Sequence, residues 1–487
     1  MQFDYLSLPK NIKQELDLFS KTKTVVVRFP PEPSGYLHLG HVKALSINYS
    51  IAKKYNGHII IRMDDTNPRL ESEEYEKSII DDIIMLSVNY ERLTYASDYF
   101  DDYIKYSEIL IKSADAYVDL TDVSVMRHER KNAIDSKYRY ATIDENIDLW
   151  NKMKSGELTT GCLRLRIDMN SKNKAMRDPA IFRPQIQRHH RTADKYKVYP
   201  MYDFSCPIVD YIEGITHVFR SSEFHDRDEM YVWILQKLKM PIPCLYHYGK
   251  INVNGAIMSK REIKRLISIG TYTGWDDPRL YTLRGMLNRG ISYDALDILM
   301  KETGYPTSTI EVDCSTIWGI NRKIIDKIAS RYCAVSRDNI EIEIDLPDDF
   351  PDMKEIPKFV RNPSLGTRKV YYRDQMLFNT DDISRLEDGE EVTLMNLGNA
   401  IFKDNMFTSK LDGNPKTTRN RLIWIPKLHC INITIIDYID DKPTMTEFVS
   451  EQSISEVQIG DFVQFMKMDY YKCKEITNDG IVFIRVP

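Results

Sequence analysis

The chain has 487 residues, of which 42% are hydrophobic and 29% charged, with a formal net charge of -5. These values are typical of a soluble globular protein with three or four domains. The apolar runs are far shorter than the roughly eighteen residues that a membrane span needs. Seven singly spaced cysteines without a CxxC motif favour reduced thiols in a cytoplasmic protein and argue against a zinc ribbon.

Strand and helix signals alternate over the first hundred residues. The predicted elements are, in order, a short amphipathic helix before residue 22, a strand over 24–29, a helix over 40–55, a strand over 58–63 and a helix over 72–86. A strand–helix–strand–helix order is typical of a doubly wound α/β sheet. The sequence therefore predicts a Rossmann-like domain at the start of the chain.

The later segments differ in composition. The predictions are a basic helical piece at 127–140, strand signals over 199–212, a helix over 228–238, mainly helices over 262–330, and short alternating strands beyond about 338. The last of these patterns indicates small β-barrels. The expected fold is thus multidomain, α/β followed by all-β.

One stretch, RFPPEPSGYLHLGH at 28–41, joins the first strand to the first long helix. Gly35 and Gly40 have P-loop spacing, but His41-Val42 replace the Lys-Ser/Thr pair, so a Walker loop is excluded. His38 and His41 share a helical face, yet a zinc site lacks a third ligand nearby. The histidines could be ordinary turn residues. A strand that leads into a helix N-terminus nevertheless favours anion binding, and histidine N–H groups add donors for phosphate.

A second stretch, IMSKRE at 257–262, follows a glycine turn. A Lys-Arg pair is most often a solvated face. Lys260 on a mobile loop would also be suited to closing over a triphosphate, because it is a point charge on a flexible stem.

Together, HLGH and MSKR resemble the paired signatures of class I aminoacyl-tRNA synthetases. RMDDTNP, YPMYDF, EGITH and GWDDPR resemble the glutamyl/glutaminyl branch of that family, and the β-rich C-terminal part resembles its archaeal/eukaryotic glutamyl type. The resemblance implies a Rossmann-like catalytic domain with an inserted acceptor-end domain, a helical stem and two anticodon-binding barrels. The expected boundaries are a leader helix at 1–22, catalytic halves at 23–99 and 196–262, the insert at 100–195, the stem at 263–335 and the barrels at 336–487.

The resemblance also implies which residues bind ATP and carry out its chemistry. Catalysis is expected from His38, His41 and Lys260. The expected ATP contacts are Glu32, Pro33, Ser34, His38, Gly40, His41, Ser221, Lys250, Ile251, Met258, Ser259 and Lys260. Ile257 stands where the family's lysine loop begins with Lys, so only Lys260 carries over from that loop. Mg²⁺ is expected to bind together with ATP. Neither zinc nor any other metal bound by the protein itself is expected.

Glutamate and glutamine differ by one side-chain group, so the choice of substrate depends on a fixed cation. Arg220 in EGITHVFR stands where glutaminyl enzymes resemble GITHSLC, and Arg28 is a second candidate. By default an arginine near Glu223 is only a surface ion pair. By resemblance, the glutamate-binding residues are Arg28, Asp64, Tyr202, Cys206 and Arg220.

The expected activity is therefore ATP-dependent ligation of L-glutamate to tRNA(Glu) through a glutamyl-adenylate, followed by attack of the terminal ribose. Two alternatives remain open: a glutaminyl enzyme, and a tRNA-binding scaffold without catalysis. The tRNA contacts are expected from Arg279, Arg284, Arg289, Arg419 and Arg421. No membrane partner is expected. The oligomeric state does not follow from the sequence, and a monomer is the default.

Overall fold

The computed structural model describes residues 8–372, 375–439 and 441–487, which form two compact units. The first unit contains the described residues up to Trp275, with Tyr281–Leu283 and Asp297–Asp313. The second contains Asp276–Leu280, Arg284–Leu296 and Cys314–Pro487.

Helices occur mainly in the first two thirds of the chain. They are α1 Lys10–Phe19, α2 Leu39–Lys54, α3 Glu73–Met85, α4 Phe100–Lys112, α5 Val123–Asn132, α6 Ile143–Ser155, α7 Tyr202–Ile212, α8 Asp228–Lys237, α9 Lys260–Ser268, α10 Leu283–Arg289, α11 Tyr293–Thr303, α12 Cys314–Ile328 and α13 Thr380–Ile383. The early predicted helices are confirmed to within two residues at each end.

The strands of the first unit form several small sheets. They are β1 Val26–Phe29, β2 His58–Met63, β3 Arg92–Tyr95, β4 Ala116–Asp119, β5 Cys162–Leu165, β6 Ala180–Pro184, β7 Val198–Pro200, β8 His217–Ser221, β9 Cys244–Tyr248, β10 Ile251–Asn254 and β11 Ile310–Asp313. Strands β1, β2 and β3 are parallel, as are β8 with β9. Hydrogen bonds between Thr216 and Val26 place β8 beside β1.

This parallel arrangement is the predicted Rossmann-like core. Because β1 and β2 run in the same direction, the turn after Phe29 and the loop after Met63 lie at the same edge. The N–H of Asp64 donates to the carbonyl of Pro31 (3.0 Å), which ties the two loops together. Ligands of open α/β sheets bind at this edge.

The inserted segment has its own antiparallel sheet in the order β4-β5-β6-β7, with α4 and α6 packed in its core. Since β7 ends at Pro200, the sheet extends beyond the expected boundary at 195. The predicted basic helix at 127–140 is only partly correct, because α5 ends at Asn132 and Ala133 has a left-handed φ of 57°. Likewise, β11 interrupts the predicted helical region.

The strand prediction over 199–212 is wrong. After the three-residue β7 the chain forms helix α7, in which Phe204–Asp210 are buried without a break. A run that is buried on every side has no exposed polar face, so its periodicity does not distinguish a helix from a strand.

The second unit is mainly β, as predicted. Its strands are β12 Ser330–Tyr332, β13 Ala334–Ser336, β14 Asn339–Ile342, β15 Ile344–Asp345, β16 Met353–Pro357, β17 Thr367–Tyr371, β18 Met376–Asn379, β19 Glu390–Leu394, β20 Gly398–Lys403, β21 Met406–Lys410, β22 Arg421–Leu422, β23 Trp424–Pro426, β24 Cys430–Ile439, β25 Lys442–Glu451, β26 Phe462–Phe465, β27 Tyr470–Thr477 and β28 Gly480–Val486.

Seven of these strands form a nearly closed barrel in the order β12-β26-β27-β28-β24-β25-β13. Its edge strands β12 and β13 are separated only by Cys333, which brings the two edges of the sheet together. Both strands begin before residue 336, so this barrel begins before the expected boundary. A five-stranded sheet, β15-β21-β20-β19-β22, lies between β13 and β24 in the chain.

Candidate active site

Two histidines stand where α2 begins. His38 is the N-cap residue, and its Nδ1 accepts a hydrogen bond from the N–H of Gly40 (3.1 Å), while Nδ1 of His41 accepts from the N–H of His38 (3.2 Å). Both rings therefore carry their hydrogen on Nε2 when neutral. Burial, with the charges of Lys260 and Lys250, lowers the pKa of His38 to about 3, and burial likewise holds the pKa of His41 well below its ordinary value. The turn thus has two neutral N–H donors.

Two glycines in the same turn leave no room for a side chain. A Cβ on Gly35 would lie 2.8 Å from the ring of Trp275, and one on Gly40 would lie 2.9 Å from Cε1 of His38. A side chain at either position would therefore force the neighbouring ring to shift.

Lys260 contacts the turn that follows β1, which contains Glu32 and Ser34. Its Nζ donates to the carbonyl of Glu32 (3.0 Å) and to Oγ of Ser34 (3.2 Å), and that hydroxyl donates to the Glu32 carboxylate (2.8 Å). Burial lowers the pKa of Lys260. The residue was expected on a mobile loop, but it is the first residue of α9, with Ser259 as the N-cap. The ammonium group of Lys260 is therefore positioned by the N-terminal end of α9.

A cavity of about 830 Å³ lies at the carboxyl ends of β1, β2 and β8. It brings together most of the predicted ATP and glutamate residues: Arg28, Glu32, His38, Gly40, His41, Asp64, Tyr202, Arg220, Ser221, Lys250, Ile251, Met258 and Ser259. Pro33, Ser34, Cys206 and Lys260 are outside the set of lining residues. Ser34 and Lys260 are instead bonded to each other beside it.

The predicted amino-acid end of the cavity contains buried charges. Arg28 donates from Nε to Asp210 (3.2 Å) and from Nη1 to the carbonyl of Phe219 (3.2 Å). Burial raises the pKa of Asp64 to about 7. Cys206 lies behind the lining, where its Sγ donates to the hydroxyl of Tyr202 (3.6 Å). A ligand with both an ammonium and a carboxylate would suit this end.

Arg220 also lines the cavity, with only 6% of its surface exposed. It is paired with Asp228, and its Nε lies 3.4 Å from Nε2 of His247. The default partner, Glu223, is paired instead with Lys250. Arg220 is therefore not a surface ion pair.

Several lining residues were not predicted from the sequence, among them Lys43, Asn48, Arg183, Phe224, Arg227 and Tyr248. Asn48 could have been found, because it follows His41 by seven residues and so lies on the same face of α2. Arg183 comes from the inserted sheet, and nothing in its local sequence indicates that it returns to this cavity.

Within the part of the chain that the structure describes, three groups of neighbouring side chains have residue types that bind metal ions. They are Glu15, His217 and Cys244; Glu71, His189 and His190; and His225, Asp228 and His247. In the last group Asp228 already binds the Arg220 cation. In the second, Nδ1 of His189 accepts two backbone N–H groups, so Nε2 carries the hydrogen that is donated to the carbonyl of Asp65. We assign no metal to these groups.

The predicted tRNA arginines lie in the second unit, in different environments. Arg279 binds Asp277 (2.6 Å) and the carbonyl of Asp441 (2.8 Å). Arg289 is buried, with its guanidinium 4.4 Å from the ring centroid of Tyr438. Arg284 is partly exposed. Of these three helical-region arginines, Arg289 is the least suited to contact a phosphate backbone.

The two arginines of the β region are exposed. Arg421 begins β22 and donates to the carbonyl of Pro415 (3.2 Å), and Arg419 precedes it in the connection from β21. Both remain accessible to a ligand of this unit.

Two family models match the chain. Residues 24–327 match the catalytic domain of the class I tRNA synthetases (E and Q), and residues 329–422 match the anticodon-binding domain of the same enzymes. Together they cover most of the chain, which belongs to the class I tRNA synthetase family of the E and Q type.

The similar curated proteins include several glutamate–tRNA ligases. A probable cytoplasmic glutamate–tRNA ligase of Encephalitozoon cuniculi is 38% identical over 94% of this chain and 75% of its own length. The cytoplasmic glutamate–tRNA ligase of Saccharomyces cerevisiae is 35% identical over 97% and 72%. The bifunctional glutamate/proline–tRNA ligase of Cricetulus griseus is 36% identical over 93% of this chain, which spans only 32% of that protein.

Among the described residues, no helix is both long enough and apolar enough to cross a membrane.

Proposed function

We propose that the protein is a glutamate–tRNA ligase that activates L-glutamate with ATP and transfers it to the 3′ end of tRNA(Glu) in the cytoplasm. The supporting observation is that one cavity contains both the helix-capping histidines and Arg220. The family membership and the names of the relatives point to the same activity.

The phosphate end of the cavity suits adenylate formation. As the glutamate α-carboxylate attacks the α-phosphate, negative charge grows on the phosphate oxygens. The Nε2–H groups of His38 and His41 and the ammonium of Lys260 are the donors for that charge. These groups fit anions rather than a cation, so we expect Mg²⁺ to be bound by the ATP phosphates.

The other end of the cavity suits glutamate. Asp64 would bind the α-ammonium, which favours the ionised form of a carboxyl group whose pKa burial has raised to about 7. Tyr202 lines the pocket, and Arg220 and Arg28 supply positive charge for the side-chain carboxylate. The adenosine would lie along Ser221, Lys250, Ile251 and Met258.

Aminoacylation of total tRNA with labelled glutamate and, separately, labelled glutamine tests this proposal. We expect glutamate to be charged and glutamine to be used far less. A preference for glutamine would indicate a glutaminyl enzyme. Binding of tRNA without charging of either amino acid would indicate a scaffold.

A further inference from the structure

The carboxylate of Asp228 contacts three side chains, those of Arg220, His225 and His247. One carboxylate oxygen, Oδ1, accepts from Nη2 of Arg220 and lies 3.1 Å from Nε2 of His247. The other, Oδ2, lies 3.0 Å from Nδ1 of His225. Burial alone would raise the pKa of Asp228, but hydrogen bonds from His247 and Arg220 outweigh it and lower the pKa. Asp228 is therefore an anion with a fixed orientation.

The guanidinium is also held on its faces. Its Cζ lies 5.3 Å from the ring centroid of Tyr231 and 5.8 Å from that of Phe224. Asp228 binds Nη2, and His247 lies beside Nε. The remaining nitrogen, Nη1, makes no hydrogen bond with the described residues, and Arg220 lines the cavity. The guanidinium is thus anchored on one side, with its other side available.

We infer that Asp228 is a positioning residue for substrate selection: it orients Arg220 so that Nη1 binds the side-chain carboxylate of glutamate. This inference rests on the proposed function. Arg28 has less freedom for the same role, because Asp210 and the carbonyl of Phe219 take its Nε and Nη1. Asp228 does not touch the substrate and acts only through Arg220.

The test measures kcat and KM for glutamate and for glutamine, with tRNA present, in the native enzyme and in Asp228→Ala. Loss of the anchor lets the guanidinium leave its binding orientation, so KM for glutamate should rise roughly 10–100-fold, the scale of a misplaced binding group. Glutamine has no charge to pair, so its kcat/KM should change little. Asp228→Asn keeps one acceptor oxygen and should recover part of the loss. Asp226→Asn, an exposed neighbour, is the control.

A double-mutant cycle with Arg220→Cys separates positioning from a purely structural role. If Asp228 acts through Arg220, then Asp228→Ala in the Arg220→Cys background should leave the glutamate-to-glutamine preference unchanged. Equal losses for both amino acids, additive effects in the cycle, or a lower KM for glutamate in Asp228→Ala would each overturn the inference. The native enzyme's charging of glutamate tests the proposed function separately.

Discussion

Charged side chains in and beside the cavity have partners within the protein before any substrate arrives. Arg28 is bound by Asp210, Arg220 by Asp228, and Lys260 by the turn that contains Ser34. A buried charge without a partner is costly, and a paired one has a fixed geometry. The substrate would therefore meet side chains that are already oriented, as Arg220 is by Asp228.

Lys260→Ala should lower the rate of adenylate formation about 10²–10³-fold, or about 2.7–4 kcal/mol, because it removes one donor to the developing phosphate charge. Glutamate affinity should change little. Pyrophosphate exchange with tRNA present measures both quantities. Arg261→Ala, an exposed neighbour on α9, is the matched control. A Lys260→Ala enzyme with native turnover would remove this residue from the mechanism.

The raised pKa of Asp64 predicts a pH dependence. A carboxyl group is ionised above its pKa, so below a pKa of about 7 most of Asp64 is protonated and no longer pairs with an ammonium. The kcat/KM for glutamate should rise with pH up to about 7 and level off above it.

Asp64→Asn should remove this pH dependence and lower the plateau. Burial also raises the pKa of Asp65 to about 7, but that carboxylate binds the N–H and hydroxyl of Ser97. Asp65→Asn is therefore the control, and it should keep the pH dependence. An unchanged profile in Asp64→Asn would assign the titration to another group.

The partners of the cationic residues were beyond prediction from the sequence. Asp210 is 182 positions from Arg28, and no local pattern indicates which of the 72 acidic residues lies beside a given arginine. The positions of His38 and His41 at the start of α2 were predictable because they depend on a local sequence of strand, turn and helix start. The sequence thus predicts where side chains lie when local signals decide it, but it does not predict which residues far apart in the chain form pairs.

At the scale of elements, local signals decided which predictions succeeded. The predicted strand over 58–63 has the observed bounds of β2, because Gly57 and the break after Met63 flank an apolar run. Helix α7 was mistaken for a strand because burial on all sides removed its polar face. The site depends on both elements, since β2 leads into Asp64 and α7 begins with Tyr202.

Two glycine substitutions should have opposite effects on stability. A Cβ on Gly57 would lie 2.1 Å from the carbonyl oxygen of Val25, so Gly57→Ala should destabilise the first unit by at least about 1–3 kcal/mol, as in overpacked cores. Gly319 lies exposed within α12 with nothing near its missing Cβ, so Gly319→Ala should stabilise the second unit by about 0.5–1 kcal/mol.

Calorimetric melting of both variants measures these effects, with each acting as the other's control. An unchanged melting temperature for Gly57→Ala would contradict the close approach of the backbone before β2.

At the scale of the whole molecule, the two units contain different chemistry. The cavity and the residues proposed for catalysis lie entirely in the first unit, and the match to the anticodon-binding domain lies in the second. The sequence has a net charge of -5, so contacts with tRNA must come from local basic groups rather than from the overall charge. Changes to exposed arginines of the second unit should accordingly affect tRNA binding and leave ATP binding unaltered.

Arg419 and Arg421 test this separation. Both lie within the match to the anticodon-binding domain and are exposed. Reversing both charges, Arg419→Glu with Arg421→Glu, should raise KM for tRNA. If each arginine contacts one phosphate, the plot of log affinity against log salt should become shallower, its slope decreasing in magnitude by about 0.7–0.9 for each arginine. KM for ATP should remain native, because the residues that line the cavity are unchanged.

The measurement is charging kinetics at several salt concentrations, with Lys54→Glu, a single charge reversal in the first unit, as the control. Lys54 is exposed at the end of α2 opposite His38, so its reversal should leave the tRNA slope native. Since losing a phosphate contact weakens binding most at low salt, the difference between the double variant and the native enzyme should shrink as salt rises. A native salt slope in the double variant would place tRNA contacts on other residues of the second unit.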